Sequence, residues 1–227
     1  MPVSKATGGP GLAIEHVPVL IPAGAVKLEG DLSIPTAARG VVLFAHGSGS
    51  SRRSPRNRYV ADILNEGGLA TLLIDLLTAD ENQVDMQTAH LRFDIGLLAG
   101  RLISIAESLE SRREVMGLKL GLFGASTGAG AALVAAAKRP KLVHAVVSRG
   151  GRPDLAGSSL GLVKAPTLMI VGGADDVVLD LNRKARMQME CETALDIVPG
   201  AGHLFERPEE LSAVARLARE WFLNKLV

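Results

Sequence analysis

A serine with a glycine two residues before it and another two residues after it lies between an apolar run and a stretch of small residues. Residues 124–128, Gly-Ala-Ser-Thr-Gly, match the pattern G-x-S-x-G. In a tight turn from a strand into a helix, this spacing lifts the serine hydroxyl above the sheet, and the flanking positions must lack side chains for the turn to close. The helix that follows aims its N–H groups and its positive dipole end at the site. The pattern predicts that Ser126 is a nucleophile.

The glycines of this segment allow two other interpretations. Gly124, Gly128 and Gly130 resemble the phosphate loop of short-chain dehydrogenases. That loop should follow the first strand, with an acidic residue about 20 positions later. Here several predicted strands come before it and the acidic residue is missing, and the single tyrosine, Tyr59, has Ile63 rather than lysine four residues on. The other interpretation is that the glycines only let a helix and a strand pack closely.

One of the five histidines follows the last predicted strand. His203 lies in the segment 200–205, Gly-Ala-Gly-His-Leu-Phe, where small residues permit a close approach to another loop. A serine hydroxyl is a poor nucleophile until a base accepts its proton. We predict that His203 is this base, with a structural role as the alternative. The remaining histidines are interpreted as structural or surface residues: His16, His46, His90 and His144.

Two adjacent aspartates follow the predicted strand 167–171. A carboxylate there could fix the histidine tautomer and stabilise the imidazolium. Asp175 is favoured because it lies at the turn of the segment 172–178, and Asp176 is its competitor. With Asp175, the chain order is Ser, Asp, His, one of the orders in which such triads occur. The alternative is that either aspartate only caps the next helix.

Two backbone amides are expected to form an oxyanion hole. One is the amide of Thr127, directly after the nucleophile, and the other comes from the loop after the apolar run 41–45. Ser48 is the better choice by position and Gly49 the second. His46, at the start of the same loop, is interpreted as a residue that shapes it.

Apolar runs and helical patterns alternate along the chain, which is typical of an open, doubly wound, mostly parallel sheet. We predict an N-terminal antiparallel hairpin, then strands that are mostly followed by helices, with the functional loops at the strand C-terminal ends. The predicted strands are 15–21, 25–33, 41–45, 71–77, 118–123, 144–148, 167–171 and 193–198. One predicted helix ends at residue 66, and four others span 86–112, 128–138, 181–189 and 209–226. Loops are predicted at 78–85 and from 149 to 165.

Ser126, Asp175, His203 and the loop after residues 41–45 resemble the α/β-hydrolase superfamily, from about Glu15 to the end of the chain. The small size is similar to that of the dienelactone-hydrolase-like group. Segments 46–57 and 148–154 resemble a subgroup that also occurs fused to phosphoribosyltransferase domains. Dienelactone hydrolases proper have a cysteine nucleophile, whereas Ser126 stands here. The resemblance therefore implies general esterase activity on short acyl esters.

The loops around the predicted site carry several arginines. The connection after strand 144–148 is too short for a cap domain, so we expect an open site that takes small esters. A guanidinium can bind a carboxylate through two hydrogen bonds. We hypothesise that Arg53 and Arg149 hold an acidic group of the substrate. The alternative is that the arginines here bind backbone carbonyls or acidic side chains: Arg52, Arg53, Arg56, Arg58, Arg149 and Arg152.

Composition narrows the function classes. The chain has 227 residues, is 47% apolar and has a formal net charge of +1, which argues against a nucleic-acid binder. We expect a flexible segment at residues 1–12 and one domain at 13–227. A single cysteine, Cys191, fits a reducing cytoplasm, and we interpret it as a buried hydrophobe. No apolar run is long enough to span a membrane.

Together these features predict a serine hydrolase that cleaves small carboxylic esters through an acyl-enzyme. The expected partner is a small-molecule ester, and neither a metal nor an organic cofactor is expected. The alternatives are acyl transfer to an acceptor other than water, such as an alcohol or a peroxide, and a non-catalytic binding protein on the same fold.

Overall fold

The apolar runs assemble into one eight-stranded sheet. The computed structural model describes residues 13–227, so the predicted flexible segment 1–12 lies outside the described residues. The strands are β1 (Ile14–Ala23), β2 (Val26–Pro35), β3 (Val41–Ala45), β4 (Ala70–Ile74), β5 (Leu120–Ala125), β6 (Val143–Arg149), β7 (Thr167–Gly172) and β8 (Thr193–Val198). Their order in the sheet is β1-β2-β4-β3-β5-β6-β7-β8. Strands β3 to β8 run parallel, and β1 and β2 form an antiparallel hairpin attached to β4. The predicted hairpin at the sheet edge is confirmed.

Helices cover both faces of this sheet, as a parallel sheet requires. The helices are α1 (Pro55–Glu66), α2 (Ala79–Thr88), α3 (Ile95–Glu110), α4 (Thr127–Lys138), α5 (Asp176–Arg186) and α6 (Pro208–Leu226), with 3₁₀ segments at Leu91–Phe93 and Pro153–Leu162. Helices α1 and α6 share one core with Phe44 and Phe123, whose rings lie 4.8 Å apart. Helices α3 and α4 share the other core with the hairpin. The result is the α/β-hydrolase fold.

The region between β4 and α3 differs from the prediction. Residues 78–85 were expected to form a loop and 86–112 one long helix, whereas the structure has α2, a short 3₁₀ turn and α3. Thr78 accepts the Glu81 N–H while the Glu81 carboxylate accepts the Thr78 N–H, a capping box that starts α2. Asp94 caps α3 by accepting the Leu97 N–H, at 2.9 Å. Local capping therefore breaks the predicted helix in two.

Two further boundaries were predicted wrongly. Helix α5 begins at Asp176 rather than at residue 181, because Val178, Leu179, Asn182 and Ala185 form a buried helical face from its first turn. The connection between β6 and β7 is a 3₁₀ segment rather than a loop, interrupted at Gly157, where φ is +51°. It packs against α4 and leaves no room in the chain for a cap domain there.

Within residues 13–227, no helix is both long and apolar enough to cross a membrane.

Candidate active site

Ser126 occupies a strained turn between β5 and α4. Its backbone has φ 50° and ψ −121°, a conformation that residues other than glycine rarely adopt. A Cβ atom on Gly124 would collide with the Cα of Ala129, and one on Gly128 would collide with the carbonyl oxygen of Ala45. The two glycines are thus required sterically, as the motif predicts. The turn holds the Ser126 hydroxyl at the C-terminal edge of the sheet.

His203 reaches this hydroxyl from the loop between β8 and α6. Its Nε2 lies 3.3 Å from the Ser126 Oγ, and its Nδ1 lies 2.7 Å from the Asp175 Oδ2. A proton on Nδ1 donated to the carboxylate leaves Nε2 free to accept the serine proton. The His203 side chain is 38% exposed and that of Asp175 16%. The arrangement couples a hydroxyl, an imidazole and a carboxylate in one hydrogen-bonded row, open to solvent at the imidazole.

The structure separates the two neighbouring aspartates. Asp175 precedes the first residue of α5, yet its side chain makes no capping hydrogen bond and turns to His203 instead. Asp176 is the first residue of α5 and is exposed. The capping interpretation therefore does not describe Asp175, and Asp176 is not in contact with the imidazole row.

The other histidines lie elsewhere. His46 Nε2 accepts the Leu76 N–H at 3.0 Å, and its Nδ1 lies 3.0 Å from the Gly47 carbonyl oxygen. Burial lowers the pKa of His46 below its ordinary value. A neutral imidazole that bridges two backbone segments matches the interpretation of a loop-shaping residue. His16 contacts Ser33, and His90 and His144 are exposed.

The amides expected to form the oxyanion hole lie side by side. Thr127 is the first residue of α4, so its N–H has no acceptor within the helix. Gly47 lies against the turn, since a Cβ there would come within 3.2 Å of Ser126 Cβ. The Ser48 N–H, however, donates to the Thr127 Oγ1 at 2.9 Å. This amide must therefore exchange the threonine hydroxyl for a substrate oxygen before it can stabilise an oxyanion.

A cavity of about 330 Å³ opens beside these amides on the side of α2. The loop from Gly47 to Arg53, Thr127 and residues of β2, α2 and α3 line it. Apolar wall is supplied by Leu20, Leu77 and Leu98, and charged wall by Lys27, Glu29 and Arg92 among others. The cavity gives room for a small group attached to a carbonyl carbon held at the serine.

The two arginines proposed to hold an acidic group of the substrate lie in different places. Arg53 is exposed and lines the cavity, whereas Arg149 is buried at the end of β6 and does not line it. Of the neighbouring arginines, Arg52 is paired with Asp75 and Glu29, and Arg152 with Asp154. The structure therefore places Arg53 and Arg149 apart, and the hypothesis that they hold an acidic group of the substrate stays a prediction.

Cys191 lies at the start of β8, at the opposite end of the sheet from Ser126. It is half-buried rather than buried, and burial raises the pKa of its thiol. Among residues 13–227 no group of three or more His, Cys, Asp or Glu side chains could hold a metal ion.

The sequence and the fold of this chain are similar to those of known hydrolases. The family model of the dienelactone hydrolase family matches residues 28–225. A crystal structure of dienelactone hydrolase from Anabaena variabilis is 59% identical, with a TM-score of 0.93, over 94% of this chain and 99% of that one. The structure of Est1E from Butyrivibrio proteoclasticus, at 16% identity, has a TM-score of 0.76 over 91% of this chain and 98% of its own, which shows a shared fold.

A curated relative from Mycobacterium tuberculosis is 55% identical over 221 residues and provisionally named a phosphoribosyl transferase. The match takes in 97% of this chain but 48% of the relative, so this chain spans about half the length of that protein. The family match extends over residues 28–225, which is most of the chain. The chain belongs to the dienelactone hydrolase family, a family of hydrolases with the α/β-hydrolase fold.

Proposed function

We propose that this protein hydrolyses small carboxylic esters, with Ser126 as nucleophile, His203 as base and Asp175 as the residue that orients the base. The observation that carries the proposal is the hydrogen-bonded row Ser126–His203–Asp175, with heavy-atom distances of 3.3 and 2.7 Å. These distances lie in or near the range for proton transfer between a nucleophile and its base.

The reaction proceeds in two steps. His203 Nε2 takes the Ser126 proton as the oxygen attacks the ester carbonyl, and the amides of Thr127 and Ser48 stabilise the oxyanion. The imidazolium then gives its proton to the leaving alcohol, which departs as the acyl-enzyme forms. A water molecule, deprotonated by the same imidazole, attacks the acyl-enzyme and releases the acid and the free serine. The mechanism uses side chains and backbone amides alone.

The surroundings of Ser126 support small substrates. The connection between β6 and β7 supplies no cap, and His203 is more than one-third exposed. The neighbouring cavity of about 330 Å³ suits a short acyl group better than a long lipid chain. A cytoplasmic location, expected from the single cysteine, belongs to the same proposal.

The test is the hydrolysis of 4-nitrophenyl acetate by Ser126→Ala, with the exposed Ser111→Ala as the matched control. We expect the first variant to lose several decades of turnover, on the order of 10³-fold or more, and the control to keep the wild-type rate. In the same series Asp175→Asn should lose activity and Asp176→Asn should keep it. Near-normal turnover of Ser126→Ala with an unchanged circular dichroism spectrum contradicts the proposal.

A fluorophosphonate probe separates this proposal from a binding protein on a hydrolase fold. Such a probe labels only an activated serine, so wild type should be labelled and Ser126→Ala should not. Acyl transfer to an alcohol or peroxide would give the same labelling and is recognised instead by the product formed with the added acceptor. The phosphoribosyl transferase name of the mycobacterial relative applies to a chain about twice as long, whereas the row of side chains described above is suited to acyl chemistry.

A further inference from the structure

Within residues 13–227, two arginines at the C-terminal edge of the sheet, Arg149 and Arg56, have no acidic partner. Among the described residues, the Nε and Nη1 atoms of Arg149 and the Nε of Arg56 are buried and make no hydrogen bond. Arg149 exposes only 8% of its surface. Buried guanidinium groups are costly unless acceptors satisfy them, so this pair is an exception that requires an explanation.

Arg101 shows how the same protein satisfies a buried arginine. It is 6% exposed, and its guanidinium donates to the Leu76 carbonyl oxygen at 2.6 Å and to both oxygens of Glu81 at 2.8 and 2.5 Å. Arg149 is buried to almost the same extent without any of these contacts. The difference lies in the surroundings of Arg149 and not in the residue type.

The nearest charge makes the position of Arg149 still less favourable. Burial, and after it the positive charge of Arg56, lowers the pKa of Arg149 to about 10. The sheet places the two together: Ala145 and Val147 pack with α1 and α6, and strand alternation puts Arg149 on that same face. Arg56 lies in the first turn of α1, whose free amides add further positive potential.

We propose that Arg149 and Arg56 form a binding site for a small oxyanion group, a carboxylate or a phosphate. Such a group can accept two parallel hydrogen bonds from a guanidinium, and it would neutralise the buried charge of Arg149 and the like charge of Arg56 near it. Arg56 is partly exposed, so an anion can enter from solvent on its side.

The site adjoins the candidate catalytic residues through the backbone. The Ser126 N–H donates to the Arg149 carbonyl oxygen at 3.2 Å, and Ala125 pairs with Arg149 across the sheet. The side chain of Arg149 leaves the strand beside the nucleophile turn, on the face of α1 rather than that of the cavity. The anion site is thus distinct from the cavity lined by Arg53, and its existence does not depend on the proposed hydrolysis.

Binding is tested with inorganic phosphate and with acetate, at constant ionic strength, by thermal unfolding and isothermal titration of the full chain. We expect saturable binding by wild type and a rise of the unfolding midpoint with phosphate concentration. Arg149→Met should weaken phosphate at least about tenfold, and Arg56→Met should weaken it in the same direction. The exposed Arg113→Met is the control, and it also reports any general effect of the salt on stability.

The absence of saturable binding to wild type overturns the proposal, as does unchanged phosphate binding by both Arg149→Met and Arg56→Met. If Arg149→Met does not fold, Arg56→Met decides alone. A pair of 4-nitrophenyl esters, one neutral and one with a terminal carboxylate, then identifies the source of the anion. A preference for the charged ester that Arg149→Met abolishes assigns the anion to the substrate, and phosphate binding without such a preference assigns it to a free ligand. If neither ester is hydrolysed, the proposed function is contradicted, whereas the result of the binding experiment still stands.

Discussion

The Thr127 hydroxyl accepts the Ser48 N–H that the proposed reaction needs for its oxyanion. Thr127 is 4% exposed whereas Ser48 is exposed, so this hydrogen bond is partly buried in the free protein. Binding of the transition state must break this hydrogen bond, and the free energy of the broken bond reduces the net stabilisation of the oxyanion. In the proposed reaction, the Thr127 hydroxyl therefore disfavours the same step that its own backbone amide favours.

We expect Thr127→Val to raise kcat/KM for 4-nitrophenyl acetate by about twofold to tenfold, the equivalent of one ordinary hydrogen bond. Valine has the shape of threonine without an acceptor, so the Ser48 amide lacks a partner until the oxyanion forms. Thr127→Ser, which retains the hydroxyl, should stay closer to wild type. A lower kcat/KM of the valine variant would show instead that the hydroxyl positions the amide for catalysis.

For single residues, the sequence indicates which side chains lie close together but not which hydrogen bonds each of them makes. The spacing of Gly124, Ser126 and Gly128 predicts the turn, because the whole motif lies within five consecutive residues, although the space at Gly128 is limited by Ala45 of a distant strand. The proximity of His203 and Asp175 follows from the rule that parallel strands end at one edge of the sheet. The hydrogen bond between Ser48 and Thr127 could not be predicted, because it depends on side-chain rotation across 79 positions of sequence separation.

Helix α2 is held by a few polar contacts rather than by an apolar face. Thr78 and Glu81 form its capping box, and Asp85 is its one buried residue. The Glu81 carboxylate also accepts two hydrogen bonds from the buried Arg101, which lowers the pKa of Glu81 below its usual 4.5. One carboxylate thus starts α2 and neutralises a buried charge on α3.

Glu81→Gln should lower the free energy of unfolding by about 2 kcal/mol at pH 7, because Arg101 loses its counter-charge and the cap is weakened. The pKa of Glu81 is depressed in the folded protein, so its stabilisation is complete above the ordinary pKa of 4.5 and disappears as the pH falls through the folded value. Urea unfolding of both proteins should therefore give converging stabilities on acidification. Glu107→Gln, in an exposed ion pair with Arg139, should change little at any pH. A pH-independent deficit of Glu81→Gln would contradict the electrostatic explanation.

Element types were easier to predict than element boundaries. The buried strands β3, β5 and β7 are short apolar runs, and their hydrophobic pattern alone predicts them. Helix α2 was missed because its surface is polar on nearly every side, although the spacing of Thr78 and Glu81 is a capping signal that could have revealed it. Helix α5 begins before its predicted start at residue 181, because Val178 and Leu179 already belong to its buried face.

The cavity beside the Ser48 and Thr127 amides is built from separate parts of the molecule. The hairpin contributes Leu20 and Lys27, the segment after β4 contributes Leu77, and α3 contributes Leu98. If the acyl group of the ester lies here, the volume of this space sets the longest chain that the protein accepts.

Leu77→Trp should fill part of the cavity and lower kcat/KM for butyryl and hexanoyl esters about tenfold relative to the acetyl ester. The ratio between long and short esters is the measurement, since it is insensitive to a general loss of folded protein. Leu162→Trp, at a 62% exposed position on the connection between β6 and β7, is the matched control. An unchanged acyl-length profile in Leu77→Trp would mean that the acyl group binds elsewhere.

The whole architecture was the most predictable level, because the alternation of strands and helices and the handedness of their connections leave few arrangements. The cavity was not predictable. Its walls come from the hairpin, from the loop after β3, from α3 and from α2. Most of α2 falls in a segment that the sequence predicts to be a loop.

The edge strand β1 contains Pro18 and Pro22, which are four residues apart and pair with Asp31 and Lys27 of β2. Proline has no amide hydrogen, so a strand of another molecule that paired with this edge would lack hydrogen-bond donors at these two positions. The two prolines therefore disfavour pairing of this edge with strands of other molecules, which lowers the tendency to aggregate and has no part in catalysis.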